Sequence, residues 1–315
     1  MHGPIAINKT GFDSVSMETI LLHNVAATTI ATLGCVANIG TIVAIIKTRL
    51  HQEAAMLFVL NLIILNLIPC VSTLPYIAYL SFTDRDPHLT KKADTTFCRI
   101  MGYFTYSIVG TEIIGLILIS VNRYILIVHF NKYEQIYKRR WNKILMLAVS
   151  WSIYPIILLL PVTEAWGQFK YDHTRFFCHP FNKDSFGTFI AIFCGSSLPV
   201  LAFCYIAMIK KVWKSRFMVN ARPTIQRATV QTLTSYTRYK QDMHLIITVI
   251  LILTTFSVLY TPFLVISIFP TRDPMIVVSS VYTGWTHCVI NTLVYSLRNS
   301  HILKVYCCRN NHVSQ

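Results

Sequence analysis

The hydrophobic pattern divides the chain into seven long apolar stretches separated by short polar segments. The stretches cover residues 20–46, 55–81, 98–128, 142–162, 186–209, 244–269 and 275–297. Each reaches or exceeds the roughly 20 residues that a helix needs to cross a bilayer. The pattern therefore predicts an all-α membrane protein, a seven-transmembrane helix bundle. We find no internal repeat of the kind that many transporters contain.

Composition agrees with a membrane protein and argues against nucleic-acid binding. Of the 315 residues, 54% are hydrophobic and only 13% are charged, whereas a soluble domain carries about 25% charged residues. The net charge of +15 does not form one basic surface, because most of the Lys and Arg residues fall in the gaps between apolar stretches. Of these 28 residues, 19 lie on one side of the predicted membrane and 9 on the other.

The charge bias predicts the topology, since loops rich in Lys and Arg face the cytoplasm. We expect an extracellular tail over 1–19, a membrane domain over 20–297 and a cytoplasmic segment over 298–315 with a short amphipathic helix. The tail lacks the basic-then-apolar layout of a cleaved signal peptide. It contains the sequon Asn8-Lys9-Thr10, which predicts glycosylation of Asn8. We therefore place the protein in the plasma membrane.

The third apolar stretch carries the most informative polar residues. A helix rises about 1.5 Å per residue, so Cys98 and Arg123 lie at opposite faces of a hydrocarbon core that is about 30 Å thick. A guanidinium is always charged and needs a partner or water at this depth; the alternative is an arginine that snorkels to the surface. Glu112, about three turns from Arg123, is the one residue between Thr105 and Ile119 that is charged at neutral pH in water.

Motifs in successive stretches resemble those of class A, rhodopsin-like G-protein-coupled receptors. In chain order they are Gly34 with Asn38, Asn61-Leu62 with Asn66-Leu67, Asn122-Arg123-Tyr124, Trp151, Phe256 with Tyr260-Thr261-Pro262, and Asn291-Thr292-Leu293-Val294-Tyr295. Tyr260 replaces the family's usual tryptophan, and Thr292 replaces its proline. Within the class, Asn122-Arg123-Tyr124, Trp166-Gly167-Gln168-Phe169, Trp285 and Cys288 resemble the branch that contains melatonin receptors, moody and trapped in endoderm.

Cysteine positions predict one disulfide and one lipidation site. Only Cys98 and Cys178 fall on the oxidising face, where disulfides persist, so we expect a bridge between the third helix and the second outer loop. Two free thiols are the alternative. Cys307 and Cys308 follow the seventh stretch beside basic residues, which favours palmitoylation.

The resemblance implies an activation switch. Its residues would be Asn122, Arg123, Tyr124, Asp242, Phe256, Tyr260, Pro262, Asn291 and Tyr295. Because Asn122 has no charge to hold the guanidinium, we expect Arg123 to contact Asp242 at rest and to lose that contact when the sixth helix swings outward. Asp242 would lie at the cytoplasmic end of the sixth helix. The inner loop between the fifth and sixth helices carries basic residues from Lys210 to Lys240.

The resemblance also implies a central polar pocket formed by Asn38, Asn66, Glu112, His287 and Asn291. The family's acid lies on the second helix, where this chain has Asn66, so we hypothesise that Glu112 replaces it from the third helix. Oxygen ligands suit a hard cation such as sodium. The alternative is a neutral Glu112 that forms a hydrogen bond with Asn66 or His287, since an isolated buried carboxylate is costly.

The expected ligand pocket lies under the predicted disulfide. Its residues are Thr105, Tyr106, Tyr260, Phe263, Tyr282 and Trp285. Thr105 stands where amine receptors carry an aspartate, so a biogenic amine is disfavoured and the aromatic lining suits an apolar or uncharged ligand. Because Arg175 and Lys170 in the outer loop are basic, an acidic lipid is a further candidate ligand. We see no phosphate loop, metal-ligand spacing or catalytic group, so the chain is not predicted to be an enzyme.

We therefore predict a receptor that couples an extracellular small-molecule or lipid ligand to a heterotrimeric G protein. Arrestin and membrane lipids are further expected partners, and no nucleic acid is expected. One alternative is a transporter or channel in which Glu112 and Arg123 line a conduction path. The other is a receptor-like protein with weak G-protein coupling, because Asn66, Asn122 and Thr292 depart from the family pattern.

Overall fold

The computed structural model describes residues 17–50, 53–83, 96–172, 175–180, 185–220, 230–269, 271 and 273–306. Their helices form seven spans, which confirms the predicted seven-helix bundle. The spans are Met17–Lys47 (one), Ala54–Val71 and Thr73–Thr83 (two), Thr96–Val128 (three), Arg140–Val162 (four), Ser185–Gly195 and Ser197–Asn220 (five), Val230–Ile268 (six), and Pro274–Trp285 and His287–Arg298 (seven). The predicted modification sites Asn8, Cys307 and Cys308 lie outside the described residues.

Five helices among the described residues are long and apolar enough to cross a membrane. They are Met17–Lys47, Ala54–Phe82, Thr96–Val128, Arg140–Val162 and Ile247–Ile266. Spans five and seven are absent from this set. Span seven is divided into two helices of 12 residues each, and span five is divided after Gly195.

Three spans that the hydrophobic pattern predicted as uninterrupted contain a break, at Ser72, Ser196 and Thr286. The ring of a proline clashes with the carbonyl four residues before it and bends a helix there. Pro75 follows the first break by three residues and Pro199 follows the second by three. At the third break, the Thr286 hydroxyl donates to the carbonyl of Thr283 over 2.6 Å, and the helix restarts at His287.

Spans five and six extend beyond the apolar stretches that predicted them. Span five continues to Asn220 and span six begins at Val230, so much of the segment predicted as a loop from Lys210 to Lys240 is helical. Hydropathy changes where a helix leaves the membrane, but the backbone hydrogen bonds continue as long as the residues tolerate a helix. Asp242 lies within span six, and its side chain is outside the described part of the structure.

Span three lies at the centre of the bundle and contacts spans two, four, five and six. Its buried residues run from Cys98 to Arg123. Gly110 packs directly on the ring of Tyr154 from span four, and even a methyl group at this glycine would overlap that ring. A small residue here allows the two backbones to approach closely.

A β-hairpin covers one end of the bundle. Strand β1 (Lys170–Asp172) pairs antiparallel with strand β2 (Phe177–His179), with Tyr171 opposite Cys178. The predicted Cys98–Cys178 disulfide is present and attaches β2 to span three. We call this the disulfide end of the bundle.

Two short helices lie at the opposite end, which we call the arginine end after Arg123. One is Phe130–Tyr137, between spans three and four. The other is Ser300–Tyr306, the short helix predicted after the seventh stretch. The Tyr306 hydroxyl lies 2.9 Å from the Thr41 hydroxyl of span one, which fixes this helix against the bundle.

Candidate functional site

A small cavity of about 60 Å³ lies beneath the hairpin, and we call it the hairpin chamber. Its lining includes five of the six residues predicted to bind ligand, namely Thr105, Tyr106, Tyr260, Phe263 and Trp285. The sixth, Tyr282, lies with its hydroxyl 3.0 Å from His23 Nδ1 of span one. The Thr105 hydroxyl bonds to that of Thr73 over 2.8 Å. The chamber is too small for a drug-sized ligand, since such sites hold about 300–1,000 Å³.

A larger cavity of about 360 Å³ lies deeper, between spans three, four, five and six, and we call it the apolar chamber. It shares Tyr106, Val109, Tyr260 and Phe263 with the hairpin chamber. Ile113, Leu116, Leu158, Leu201 and Leu253 form much of its remaining wall. The volume suits a ligand, and the lining suits an apolar one. The hydrophobic pattern does not reveal this chamber, because its aliphatic lining resembles ordinary helix packing.

Part of the apolar chamber wall faces outward from the bundle. Leu198 of span five is 55% exposed and Leu264 of span six is 42% exposed, yet both line the chamber. Two more lining residues, Gly195 and Thr261, are also exposed. In a membrane these positions meet lipid, so the chamber opens toward the bilayer between spans five and six.

Three charged or titratable side chains of the hairpin form a polar cluster at the chamber roof. Arg175 Nη1 donates to Asp172 Oδ2 over 3.1 Å and to His179 Nε2 over 3.0 Å. Arg175 and His179 line the hairpin chamber, and the buried Arg175 Nε atom has no hydrogen-bond partner among the described residues. Burial lowers the pKa of His179, and the Arg175 charge lowers it further, although the Asp172 carboxylate opposes the shift.

Glu112 and His287 meet in the middle of the bundle. Glu112 Oε2 lies 2.9 Å from His287 Nε2, and the residues are 1% and 0% exposed. On its other side, His287 Nδ1 lies 2.7 Å from the carbonyl oxygen of Gly284. The imidazole is therefore held between a carboxyl group on span three and a backbone acceptor beside the break in span seven.

The other predicted members of the polar pocket have different surroundings. Asn38 donates to the carbonyls of Gly34 and Cys288, and its Oδ1 accepts from the Thr292 hydroxyl over 2.6 Å. Thr292 thus joins span seven to span one at the position where the family carries proline. Among the described buried atoms without a hydrogen-bond partner are Asn66 Oδ1 and both amide atoms of Asn291. Neither asparagine forms a hydrogen bond with Glu112.

Aromatic rings connect the predicted switch in span six to His287. The ring centroids of Phe256 and Tyr260 are 4.4 Å apart, and those of Tyr260 and His287 are 5.0 Å apart. Phe256 and Trp285 lie 5.5 Å and 6.2 Å from the imidazole centroid. Pro262 lies within the helix of span six, two residues beyond Tyr260. The rings that line the chambers are therefore in contact with the buried pair.

At the arginine end, Arg123 and Asn122 are buried, with exposures of 8% and 0%. The Tyr124 hydroxyl lies 3.1 Å from His129 Nε2. The Tyr295 hydroxyl donates to Met56 Sδ of span two over 2.6 Å. The predicted Arg123–Asp242 contact involves a side chain outside the described residues, so it stays a prediction.

Comparisons with known proteins agree with this architecture. The family described as "7 transmembrane receptor (rhodopsin family)" matches residues 37–299. The crystal structure of squid rhodopsin superimposes with a TM-score of 0.78 at 16% identity, covering 95% of this chain and 83% of that one. This protein therefore belongs to the rhodopsin family of seven-transmembrane receptors, and it is a multi-pass membrane protein.

Curated relatives identify the branch that the motifs predicted. The chain is 25% identical over 305 residues to "Protein trapped in endoderm-1" of Drosophila melanogaster, covering 91% of this chain and 76% of that protein. It is 28% identical over 224 residues to "G-protein coupled receptor moody" of the same organism, which covers 70% of this chain but only 32% of moody. Melatonin receptor type 1A of Gallus gallus is 21% identical over 307 residues, covering 92% and 79%. The predicted resemblance is confirmed.

Proposed function

We propose that this protein senses a ligand from outside the cell and activates a heterotrimeric G protein. The proposal rests on span three, one continuous helix from Thr96 to Val128. Its first turn carries the disulfide beside the chambers, and its last turns carry the buried Arg123. The charge bias along the sequence supports a topology with the disulfide end outside the cell. Ligand and G protein would then bind at opposite ends of one rigid element.

Activation proceeds by outward movement of span six. The contacts of Phe256 and Tyr260 with His287 support this step, because a ligand that displaces these rings also displaces the helix that carries them. Movement at the arginine end would release Arg123 and expose a cavity for the G protein. Arrestin would use the same cavity.

The ligand is an elongated lipophilic molecule with a hydrogen-bond-accepting or acidic end. The apolar chamber accommodates its body, and the unpartnered Nε of Arg175 in the hairpin chamber provides a donor for its polar end. Neither chamber is lined by a carboxylate among the described residues, which disfavours a cationic amine. The opening between spans five and six supports access from the bilayer.

The test is nucleotide exchange on a purified G protein by receptor in lipid nanodiscs, with a library of lipophilic compounds. We expect at least one compound to accelerate exchange, and Arg123→Ala to abolish the acceleration while ligand still binds. The same receptor in liposomes is assayed for ion and solute flux. Flux without stimulated exchange would support the transporter class instead.

A further inference from the structure

The resemblance to the rhodopsin family suggested a sodium ion in the central polar pocket. Whether such an ion fits depends on which oxygens of the pocket are available to bind it. Two of the oxygens best placed to bind it already have partners. Glu112 Oε2 faces His287 Nε2 over 2.9 Å, and Asn38 Oδ1 accepts from Thr292 over 2.6 Å. Sodium bound through these two oxygens would have to displace both contacts. The pocket's buried oxygens without a partner among the described residues are Glu112 Oε1, Asn66 Oδ1 and Asn291 Oδ1, so the charge on Glu112 decides whether a cation fits.

Proton positions in the pair follow from the chemistry of its acceptors. A backbone carbonyl only accepts hydrogen bonds, so His287 Nδ1 carries a proton toward Gly284. A second proton must then lie between Nε2 and Oε2, because a lone pair facing a carboxylate would repel it. Whether this proton sits on nitrogen or oxygen, the pair is neutral overall. No net negative charge remains to bind an ion in this apolar interior.

The surroundings favour the proton on the imidazole. The Tyr260 and Phe256 ring centroids lie 5.0 and 5.5 Å from that of His287, within the roughly 6 Å at which an aromatic ring attracts a cation. Cys288 Sγ lies 3.4 Å from Nε2, but a thiol is a weak donor beside a carboxylate. The imidazolium therefore has a carboxylate on one side and electron-rich rings around it.

Asn291, one turn further along span seven, supplies a second observation. Its buried Nδ2 donor and Oδ1 acceptor lack hydrogen-bond partners among the described atoms. A cation satisfies only acceptors, whereas a water molecule satisfies both kinds of group. Glu112 Oε1 and Asn66 Oδ1 are further buried acceptors without a described partner, so the Asn291 Nδ2 donor is the group that water would satisfy and an ion would not.

We propose that the protonated imidazole of His287 is the resident cation of the Glu112 carboxylate, and that sodium does not bind in this pocket. This departs from the sodium hypothesis that the sequence suggested. It assigns His287 the role of a built-in counter-ion that links spans three and seven. The inference does not depend on the ligand or on G-protein coupling.

The experiment measures thermal unfolding of purified receptor in nanodiscs while NaCl replaces KCl at constant total salt, which keeps charge screening constant. Wild type should show the same apparent Tm in both salts. His287→Asn removes the counter-ion and leaves a carboxylate with an added amide oxygen. This variant should gain a sodium-specific rise in Tm that grows with the logarithm of sodium concentration.

The double variant Glu112→Gln, His287→Asn is the matched control and should lose that rise. A sodium-specific rise in the Tm of wild type that Glu112→Gln abolishes would overturn the proposal. This comparison remains informative even if the His287 variants do not fold. A folded His287→Asn protein without a sodium response would also contradict it. Because no ligand or G protein is used, failure here is distinct from failure of the proposed signalling function.

Discussion

Thr292 forms a specific contact between spans seven and one. It occupies the position of the family's proline in span seven and donates to Asn38 Oδ1 over 2.6 Å. Both residues are buried, with exposures of 1% and 0%. Since Asn38 also holds the carbonyl of Cys288, the pair fixes span seven against span one. The substitution that seemed a departure in the sequence therefore forms a specific contact.

Replacing Thr292 with valine should destabilise the receptor. The volume is retained but Asn38 Oδ1 loses its donor, and a buried acceptor left unsatisfied costs about 1–3 kcal/mol. Thermal unfolding of purified protein measures the effect as a lower apparent Tm. Thr163→Val is the control, because that hydroxyl is exposed and bonds only within its own helical turn. Equal Tm values for the two variants would contradict the assigned role.

His179 gives the hairpin a dependence on pH. Its pKa in the folded protein lies below the usual value, which is about 6.5 in an unfolded chain. As pH falls through about 6.5, the unfolded state takes up a proton that the folded state resists, so stability decreases. We expect the apparent Tm to fall between pH 7.5 and 5.5, and to fall less in His179→Gln. An identical fall in both proteins would show that other groups cause it.

At the scale of elements, close packing of spans three and four depends on Gly110. Gly110→Ala places a methyl group against the Tyr154 ring, and such overpacking costs about 1–3 kcal/mol. Gly115→Ala on the same helix is a matched control, because the nearest heavy atom to its methyl group would be Asn61 Nδ2 at 3.7 Å. Thermal unfolding should show a lower Tm for the first variant and no loss for the second.

The inner part of span six carries the predicted partner of Arg123. Removing the carboxylate in Asp242→Ala should favour outward movement of the helix and raise basal nucleotide exchange several-fold at matched receptor amount. Gln241→Ala alters the neighbouring position without a charge and serves as the control. Unchanged basal exchange in Asp242→Ala would rule out the contact as a restraint on the resting state.

The elements were largely predictable because membrane helices follow from apolar length alone. The breaks at Ser72, Ser196 and Thr286 were not, since hydropathy alone registers neither the bend at a proline nor a side-chain bond to the backbone such as that of Thr286. The helical extensions at 210–220 and 230–243 were missed for the opposite reason. They are polar, yet they continue hydrogen bonding outside the membrane.

The candidate site, too, was predictable from the sequence only in part. The Cys98–Cys178 bridge followed from compartment and topology, and the motifs placed Glu112 and His287 in one region. That Glu112 pairs with His287 rather than with Asn66 depends on the direction of the side chains. The spacing of these residues along the sequence does not determine that direction. The Asp172–Arg175–His179 cluster depends on the hairpin register, and two short strands in a polar loop leave little trace in hydropathy.

At the scale of the whole molecule, the two chambers define a ligand with distinct ends. Arg175→Gln should lower the potency of an acidic or carbonyl-bearing agonist by at least about tenfold, because a hydrogen bond to a charged group contributes about 1.5–3 kcal/mol. Lys170→Gln is the control, since Lys170 is exposed on the same hairpin. Concentration–response curves for G-protein activation provide the measurement. An equal loss of potency in both variants would indicate general electrostatic attraction of the agonist rather than its specific recognition by Arg175.

The interruption of span seven has a consequence for proton chemistry. In a continuous helix, the carbonyl of Gly284 would accept the amide hydrogen of Cys288. The break at Thr286 instead presents that oxygen to the imidazole of His287 at 2.7 Å. A backbone bend thereby supplies the acceptor for the second N–H group of the protonated imidazole at the centre of the protein. Straightening this bend would remove that acceptor, and the ring would keep only its contact with Glu112 on span three.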